Sequence, residues 1–282
     1  MNKQYLCILF LIFLSCKGKG HFKSPADYDL AKPETFIMPE ALDEISGISF
    51  YKGNSDTIYA EQDEQGKLYH LHLGDKKARY ARFGRAGDYE DIAIMNEMVV
   101  LLRSDGTLFS FPFNERNQEE IGDVKEWDGL LPNGEFEGLC ADAKTNQLYV
   151  LCKRCSIDEA TGAITAYILQ LQPGGSITQN GSASISLKTI EELAHEATSK
   201  FHPSAFAKNP KTDQYYILSA VNKLLVIADK DWNVKEVYRL NPSIFRQPEG
   251  IAFDNKNNLY ISNEGDELSA GNVLKFVFRK NN

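Results

Sequence analysis

The feature that most constrains the fold of this chain is a short motif that occurs five times. Each copy has a polar residue, then a small or acidic one, then a bulky apolar one and then a small one. The copies occupy residues 46–50 (SGISF), 90–94 (EDIAI), 137–141 (EGLCA), 204–208 (SAFAK) and 249–253 (EGIAF). Their first residues are separated by 44, 47, 67 and 45 positions. Periods of about 40 to 50 residues are typical of propellers and related arrays, in which each copy builds one supersecondary unit.

Two further strand-like segments follow each motif. The second segments are 57–60, 98–102, 147–151, 215–218 and 258–262, and the third are 67–73, 107–113, 166–171, 223–228 and 272–278. Asn, Asp and Pro are concentrated in the turns between them, and a weaker fourth segment such as 236–240 completes a unit. The sequence therefore predicts an all-β fold, a five-bladed β-propeller with four-stranded antiparallel blades.

The fifth unit has no candidate for its outermost strand after residue 278. Residues 34–38 (ETFIM) precede the first unit and have the composition of a strand. We predict that they supply the missing strand of the fifth blade and thereby join the two ends of the domain.

The interval of 67 residues after the third motif predicts an insertion. Residues 156–162 are polar and are expected to form a loop. Thr189 and Glu192 have the spacing of a helix capping box, and apolar residues follow at helical intervals. We therefore predict a short helix over residues 190–199 on one face of the disc, either as a lid or as packing.

The first residues have the pattern of an export signal. Lys3 precedes a largely apolar run at 5–14, which is too short for a membrane-spanning helix of roughly 20 residues. Ser15 and Cys16 follow as in a bacterial lipobox; an ordinary signal peptide with an incidental cysteine is the alternative. We predict a lipoprotein signal peptide at 1–16, a flexible tether at 17–25 and one propeller domain at 26–282. The predicted location is the bacterial cell envelope, lipid-anchored to a membrane through Cys16, with the domain outside the cytoplasm.

The net charge of the chain limits the kinds of partner that it is expected to bind. The net charge is −8 and no basic stripe is present, so we expect no nucleic-acid partner and no membrane contact beyond the anchor.

Cys140, Cys152 and Cys155 remain in the mature domain, and an odd number leaves at least one thiol unpaired. Cys152 and Cys155 have CxxC spacing without the strand–helix context of a thioredoxin-like site, so we interpret them as structural or incidental.

The first residue of each motif predicts a functional site. The innermost strands of a propeller line a central tunnel, so equivalent residues are expected to meet near the axis: Ser46, Glu90, Glu137, Ser204 and Glu249. Glu44 lies two residues before Ser46 and points the same way along its strand. Carboxylates this close raise one another's pKa unless a cation neutralises them. Oxygen ligands without His or Cys favour Ca²⁺ on Glu44, Glu90, Glu137 and Glu249; Mg²⁺, or a wet tunnel mouth without a metal, are the alternatives.

A second set of polar residues is expected around this centre. The ends of the second strands contribute Glu61, Gln62, Arg103, Lys153, Asn263 and Glu264. We assign a ligand-binding rim, suited to an organic anion beside the metal, to Ser46, Ser204, Arg103, Lys153 and Glu264. A solvated rim without a ligand is the alternative.

Four segments together resemble the SdiA-regulated (YjiK-like) family of bacterial propellers. They are 44–48 (EISGI), 136–139 (FEGL), 247–254 (QPEGIAFD) and 259–265 (LYISNEG), and the resemblance extends from about residue 27 to residue 278. It implies a five-bladed propeller with a calcium site, distantly similar to NHL-repeat propellers and to paraoxonase/arylesterase enzymes. By motif, the family's calcium ligands would fall on Glu90, Glu137 and Glu249, with Glu44 as a further candidate and Ser204 in place of an acid. The family has no established activity, so the resemblance leaves function open.

Two functions remain in competition. In the first, a calcium-stabilised monomeric propeller binds an unknown small ligand or an envelope protein at one face. In the second, a calcium-dependent hydrolase of the paraoxonase-like type acts on an ester, lactone or phosphoester, which requires a general base near the metal. His202 is the histidine expected nearest the tunnel, and the sequence contains no nucleophile elbow, phosphate-binding glycine loop or zinc motif. We favour the binding protein and assign no catalytic residue.

Overall fold

Antiparallel sheets built in chain order account for most of the secondary structure. The computed structural model describes residues 22–195, 201–267 and 269–280, so the predicted signal peptide and Cys16 lie outside the described residues. One strand, β1 (Glu34–Ile37), precedes the sheets. The first blade comprises β2 (Ile45–Ser49), β3 (Ile58–Gln62), β4 (Gln65–Leu71) and β5 (Arg79–Arg82). The second comprises β6 (Tyr89–Met95), β7 (Met98–Arg103), β8 (Leu108–Pro112) and β9 (Lys125–Trp127).

The remaining blades follow the same order. The third comprises β10 (Gly134–Asp142), β11 (Gln147–Cys155), β12 (Ala163–Leu171) and β13 (Ile177–Ser186). The fourth comprises β14 (Ala205–Lys208), β15 (Tyr215–Ser219), β16 (Leu224–Ala228) and β17 (Val234–Arg239). The fifth comprises β18 (Pro248–Phe253), β19 (Leu259–Asn263) and β20 (Asn272–Phe276), with β1 as its fourth strand. This is the predicted five-bladed β-propeller.

The five sequence motifs form the innermost strands of the five blades. The inner strands β2, β6, β10, β14 and β18 contact one another in that order, and β18 contacts β2 to complete the ring. One hydrophobic cluster fills the space between each pair of neighbouring blades; for example, Ile48 and Tyr69 of the first blade pack with Tyr260 and Val273 of the fifth. Apolar residues therefore occupy both faces of the central strands, and in β15, β16 and β19 every residue is buried.

The ring is closed by the strand that the sequence predicted. β1 pairs antiparallel with β20, so that Glu34 lies opposite Lys275 and Ile37 lies opposite Asn272. An ion pair of 3.0 Å joins the Glu34 carboxylate to the Lys275 ammonium. The first strand of the domain and the last thus share one sheet, and the prediction for residues 34–38 is confirmed.

The insertion in the third blade differs from the prediction. Residues 156–162 do not form a loop, because Ser156–Thr161 is a helix, α1, that ends at Gly162. The second helix, α2, is Leu187–Ala194 rather than 190–199, and His195 follows it in the left-handed conformation. Residues 196–200 lie outside the described residues. No helix among the described residues is long and apolar enough to cross a membrane.

α2 is a packing element at the outer side of the blades. It contacts β17 and β12, and its buried residues Ile190 and Ala194 join the apolar cluster between the third and fourth blades. Of the two alternatives left open for this helix, the structure therefore favours packing over a lid above the tunnel.

Replacing Ser186 with Ala is expected to reduce the stability of the domain by about 1 kcal/mol. The Ser186 side chain is the N-cap of α2 and accepts a hydrogen bond from the Thr189 backbone N–H, so the substitution leaves that donor without its partner. The predicted capping box had placed the start of the helix at Thr189 instead. In urea denaturation, Thr189→Ala should therefore cost less than Ser186→Ala, and the reverse order would restore Thr189 as the cap.

The setting of the CxxC cysteines differs from the prediction, and Cys140 is the expected unpaired thiol. Cys152 and Cys155 form a disulfide at the end of β11, and Cys155 immediately precedes α1, so a strand and a helix do flank the CxxC segment. Cys140 is free and buried, and burial raises the pKa of its thiol to about 12.

Candidate functional site

β-Bulges direct the predicted tunnel residues away from the regular strand pairing. In β6, Tyr89 lies opposite Arg103 and Asp91 lies opposite Leu102, so Glu90 between them has no partner. The register skips Glu137 in β10 and Glu249 in β18 in the same way. A bulge re-aims the side chain of its extra residue, and here it places one carboxylate of each strand at the same end of the tunnel.

The fifth and first blades approach closely at Gly250, the residue that follows the bulge in β18. A Cβ atom at Gly250 would lie 2.3 Å from the Ser46 carbonyl oxygen and 2.3 Å from the Ser262 hydroxyl. Only glycine fits there without displacing the next blade. Glycine at this second motif position therefore allows the ring to close, while Glu249 at the first position lines the tunnel.

The tunnel residues enclose an acidic cavity of about 230 Å³. Its lining contains eight carboxylate side chains and one basic side chain, Lys153. The carboxylates are those of Glu44, Asp63, Asp88, Glu90, Glu135, Glu137, Glu249 and Glu264. Ser46 and Ile45 complete the lining. With all groups ionised, eight negative charges face one positive charge in this cavity.

The structure brings most of the predicted site residues together. The four predicted metal ligands, Glu44, Glu90, Glu137 and Glu249, all line the acidic cavity, as do the predicted rim residues Ser46, Lys153 and Glu264.

Two predicted rim residues, Arg103 and Ser204, are engaged elsewhere. Arg103 is paired with Asp105 at 2.8 Å. The Ser204 hydroxyl donates to the Pro248 carbonyl at 2.7 Å, and it accepts from the Ala220 N–H. The Ser46 hydroxyl likewise donates to the Glu90 carbonyl at 3.0 Å, so the serines of the motif tie neighbouring blades together.

Three carboxylates of the cavity were not predicted: Asp63, Asp88 and Glu135. Asp88 and Glu135 each lie two residues before a tunnel glutamate, as Glu44 lies two residues before Ser46. Alternate residues of a strand share a face, so the rule that selected Glu44 would also have found these two. Asp63 lies in the turn between β3 and β4, where no repeat position marks it.

Burial and crowding raise the pKa of the carboxyl groups at the centre of the cavity. Burial raises the pKa of Glu90 to about 8, with a further contribution from the charge of Asp88 and an opposing one from Lys153. Burial and the charge of Glu264 raise the pKa of Glu249 to about 7, against the effect of Lys153. Burial and the charges of Glu44 and Glu264 raise that of Asp63 to about 6. The cavity therefore disfavours its own full ionisation.

Lys153 is the partial counter-ion of this cavity. Its ammonium forms ion pairs with the Glu137 carboxylate and, at 3.0 Å, with the Glu135 carboxylate. Burial opposes ionisation of Glu135, but the contacts with Lys153 and Arg154 outweigh it and lower the pKa of that carboxyl.

Two buried carboxyl groups, Glu61 and Asp91, lie in the ring behind the cavity. Glu61 Oε1 accepts from the Gly47 N–H at 2.6 Å, whereas Glu61 Oε2 is buried without a hydrogen-bond partner among the described residues. Asp91 accepts from the Ile92 N–H and, across the blade boundary, from the Leu139 N–H at 2.7 Å. Burial raises the pKa of both groups well above the usual range.

The later residues of each motif line a second cavity, of about 370 Å³, towards the other end of the tunnel. Its wall includes the small fourth residues of the motifs, Ser49, Ala93, Cys140, Ala207 and Ala252. A basic group at its edge, Lys208, is already paired with Asp142 at 2.7 Å. The tunnel is thus acidic at one end and largely apolar at the other.

Comparison with known proteins supports the same architecture. Glutaminyl cyclase from Myxococcus xanthus has a TM-score of 0.57 at 14% identity, over 88% of this chain and 96% of that one. Regucalcin from Agrobacterium tumefaciens str. C58, described as a calcium-binding protein, has a TM-score of 0.50 at 14% identity, over 90% and 95%. These likenesses show a shared fold. No curated protein sequence matches the chain.

The family comparison is more specific and confirms the resemblance found in the sequence. The model of the SdiA-regulated family matches residues 25–267, which include all five inner strands and the whole lining of the acidic cavity. The chain therefore belongs to the SdiA-regulated family.

Proposed function

We propose that this protein is a lipid-anchored propeller of the bacterial cell envelope that binds a divalent cation, Ca²⁺, in its acidic cavity. The observation that carries the proposal is the lining of eight carboxylates against one ammonium in about 230 Å³. A small ligand or an envelope protein would bind at the same face. The anchor rests on the lipobox pattern at Cys16.

The donor chemistry of the cavity suits calcium. Carboxylate oxygens are hard ligands, and no histidine or cysteine belongs to the lining. Asp63 Oδ1 is buried without a hydrogen-bond partner among the described residues, so one oxygen of the lining has an unmet need for a positive charge or a donor. A cation would supply this need and would offset the repulsion that adds to burial in raising the pKa of Glu90 and Glu249.

The spacing of the carboxylates constrains how such an ion would be held. Among the described residues, no three carboxylate side chains of the cavity each place an oxygen within 4.8 Å of the others. Calcium takes six to eight oxygen ligands at roughly 2.3–2.6 Å and accepts waters among them. One or two carboxylates, with waters completing the shell, fit this spacing. The candidates are the three glutamates that bulges direct into the cavity, Glu90, Glu137 and Glu249, and the last two are tested below.

Calcium is expected to raise the melting temperature of the protein. At a hundredfold excess over the dissociation constant, a ligand that binds only the folded state stabilises it by about 2.7 kcal/mol. For a domain of this size that corresponds to roughly 5–10 °C. The measurement is thermal unfolding in chelator and across a calcium titration, with Mg²⁺ in a parallel series.

Glu137→Gln and Glu249→Gln are expected to remove most of the calcium effect. The matched control is Glu192→Gln, which makes the same chemical change on the exposed side of α2, away from the cavity. An unchanged melting temperature of the wild type in calcium would refute the cation site. An equal loss in all three variants would show that the effect does not depend on the cavity.

A carboxyl group with a raised pKa in the lining of the cavity favours one second candidate, a calcium-dependent hydrolase. Asp63, whose pKa is about 6, is the group that would act as general base near neutral pH. The test is a panel of aryl esters, lactones and phosphoesters in calcium, with Asp63→Asn expected to abolish turnover while calcium still raises the melting temperature. If the wild type turned over none of these substrates, the hydrolase function would be refuted and only the binding function would remain.

A further inference from the structure

Lys153 is placed in the acidic cavity by two bulges that face each other. In β11, Cys152 lies opposite Phe136 and Arg154 lies opposite Glu135, so Lys153 is the unpaired residue. Glu137 is the unpaired residue of β10 at the same place. The two extra residues of neighbouring strands therefore meet, and their side chains form an ion pair.

The backbone around Lys153 is held from several sides. The Cys152–Cys155 disulfide joins the residues that flank it, and Gly134 makes room for the bridge, since a Cβ atom there would lie 2.7 Å from the Cys155 sulfur. His202 donates from Nδ1 to the Lys153 carbonyl at 3.2 Å. The side chain is only 19% exposed, whereas that of the neighbouring Arg154 is 61% exposed and does not line the cavity.

We infer that Lys153 is a tethered counter-ion that an incoming cation must displace, and that it sets the affinity and the charge selectivity of the cavity. The inference rests on the cation-binding function proposed above. The ammonium already provides one positive charge to Glu135 and Glu137. Replacing the ammonium with a monovalent ion would leave the total charge of the cavity unchanged, whereas replacing it with a divalent ion would add one positive charge. The lysine therefore acts against Na⁺ and K⁺ and lowers the affinity for Ca²⁺.

Displacement requires no rearrangement of the blades. A lysine side chain has a flexible four-carbon stem. The ammonium can therefore turn towards solvent while the backbone of residue 153, held by the disulfide and by His202, stays in place. Glu135 is partly exposed, with 34% of its side chain accessible, and it can retain the ammonium at the edge of the cavity after Glu137 is released.

The test is calcium binding by calorimetry on the full chain in mild detergent, comparing wild type with Lys153→Met. The methionine keeps the length of the stem and removes the charge. A unit charge at ion-pair distance in a partly buried site changes the affinity for a cation by at least about tenfold, so we expect Lys153→Met to bind calcium at least that much more tightly. K⁺ at matched ionic strength should weaken calcium binding to the variant but not to wild type.

The matched control is Arg154→Met, which removes a neighbouring positive charge that pairs with the same Glu135 at 2.9 Å. We expect its calcium affinity to change by no more than about threefold. Lys153→Gln serves as a second variant if Lys153→Met does not fold.

The outcomes separate this inference from the proposed function. If Lys153→Met and Arg154→Met raised the affinity for calcium equally, the effect would come from the net charge alone. That result would overturn the specific role of Lys153. Unchanged or weaker binding in Lys153→Met, with binding by wild type, would overturn the inference and leave the cation site standing. Binding by Lys153→Met alone would support the role of Lys153 as a counter-ion and would refute calcium binding by the wild-type protein. Absence of binding in both would refute the proposed function and this inference with it.

Discussion

Removal of β1 is expected to lower the melting temperature of the propeller by at least about 10 °C. β1 is the fourth strand of the fifth blade, and Met38 after it is buried and donates its N–H to the Gly271 carbonyl at 2.8 Å. Tyr28 and Leu30, upstream of β1, are buried in the cluster between the fourth and fifth blades. Full burial of each such side chain contributes about 1.5–3 kcal/mol, so the segment accounts for a large share of a total stability of about 5–15 kcal/mol.

The two truncated proteins to be compared should both lack the residues before 22, so that they differ only in the segment that contains the closing strand. A chain that begins at residue 22 keeps every described contact, and a chain that begins at residue 39 lacks β1, Tyr28, Leu30 and Met38. We expect the second to unfold at a lower temperature or less cooperatively, and a synthetic peptide of residues 22–38 to restore part of the loss by adding a strand to β20. Identical melting curves for the two chains would show that the ring does not depend on this closure.

The fold was predictable because it is repeated. Each motif combines requirements that only an inner propeller strand imposes together: a polar residue at the tunnel, a small residue where the blades touch, and a bulky apolar residue in the space between blades. Gly250 and Ile251 illustrate the last two, since a Cβ at Gly250 would collide with the first blade and Ile251 is buried. Five copies at similar spacing made the pattern visible in a single sequence.

The insertion and the rim were less predictable because no repeat constrains them. The capping-box pattern placed the start of α2 at Thr189, whereas the structure caps the helix at Ser186, three residues earlier. Arg103 lies in regular pairing opposite Tyr89 and so corresponds to Cys152 rather than to Lys153. It pairs with Asp105 two residues on, whereas Lys153, the extra residue of its strand, meets Glu137. A strand-end position alone does not determine where a long side chain points; the bulge in β11 does. That bulge follows from tertiary pairing, which the sequence does not display.

The acidic cavity gives an expected dependence of stability on pH in the absence of a divalent cation. The pKa of Glu90 is raised to about 8 and that of Glu249 to about 7 in the folded protein, from an ordinary value of 4.5. Between the unfolded and folded values, the folded state binds protons that the unfolded state releases. The free energy of unfolding therefore falls as pH rises through this range, from full stability below about pH 4.5 to the largest loss above pH 8.

We expect a loss on the order of 2–4 kcal/mol between pH 5 and pH 8.5 in chelator, allowing for solvent at the open end of the cavity. The measurement is urea denaturation at several pH values, with Glu90→Gln as the variant that should flatten the curve. His70, whose pKa is lowered by burial, contributes in the opposite direction in the acidic part of the range. The comparison of Glu90→Gln with wild type at each pH cancels this contribution, because His70 is the same in both.

Calcium should oppose this pH dependence if the cavity is its site. Raising the pH ionises Glu90 and Glu249, which strengthens the attraction for a cation while it weakens the cation-free fold. The stabilisation by a fixed concentration of calcium should therefore grow from pH 5 to pH 8.5, and the two pH curves, in chelator and in calcium, should diverge as pH rises. A calcium effect that is constant over this range would place the ion on groups that are already ionised at pH 5, and thus away from Glu90 and Glu249. Stability that rises with pH in chelator would mean that neither carboxyl group holds a proton in the folded state.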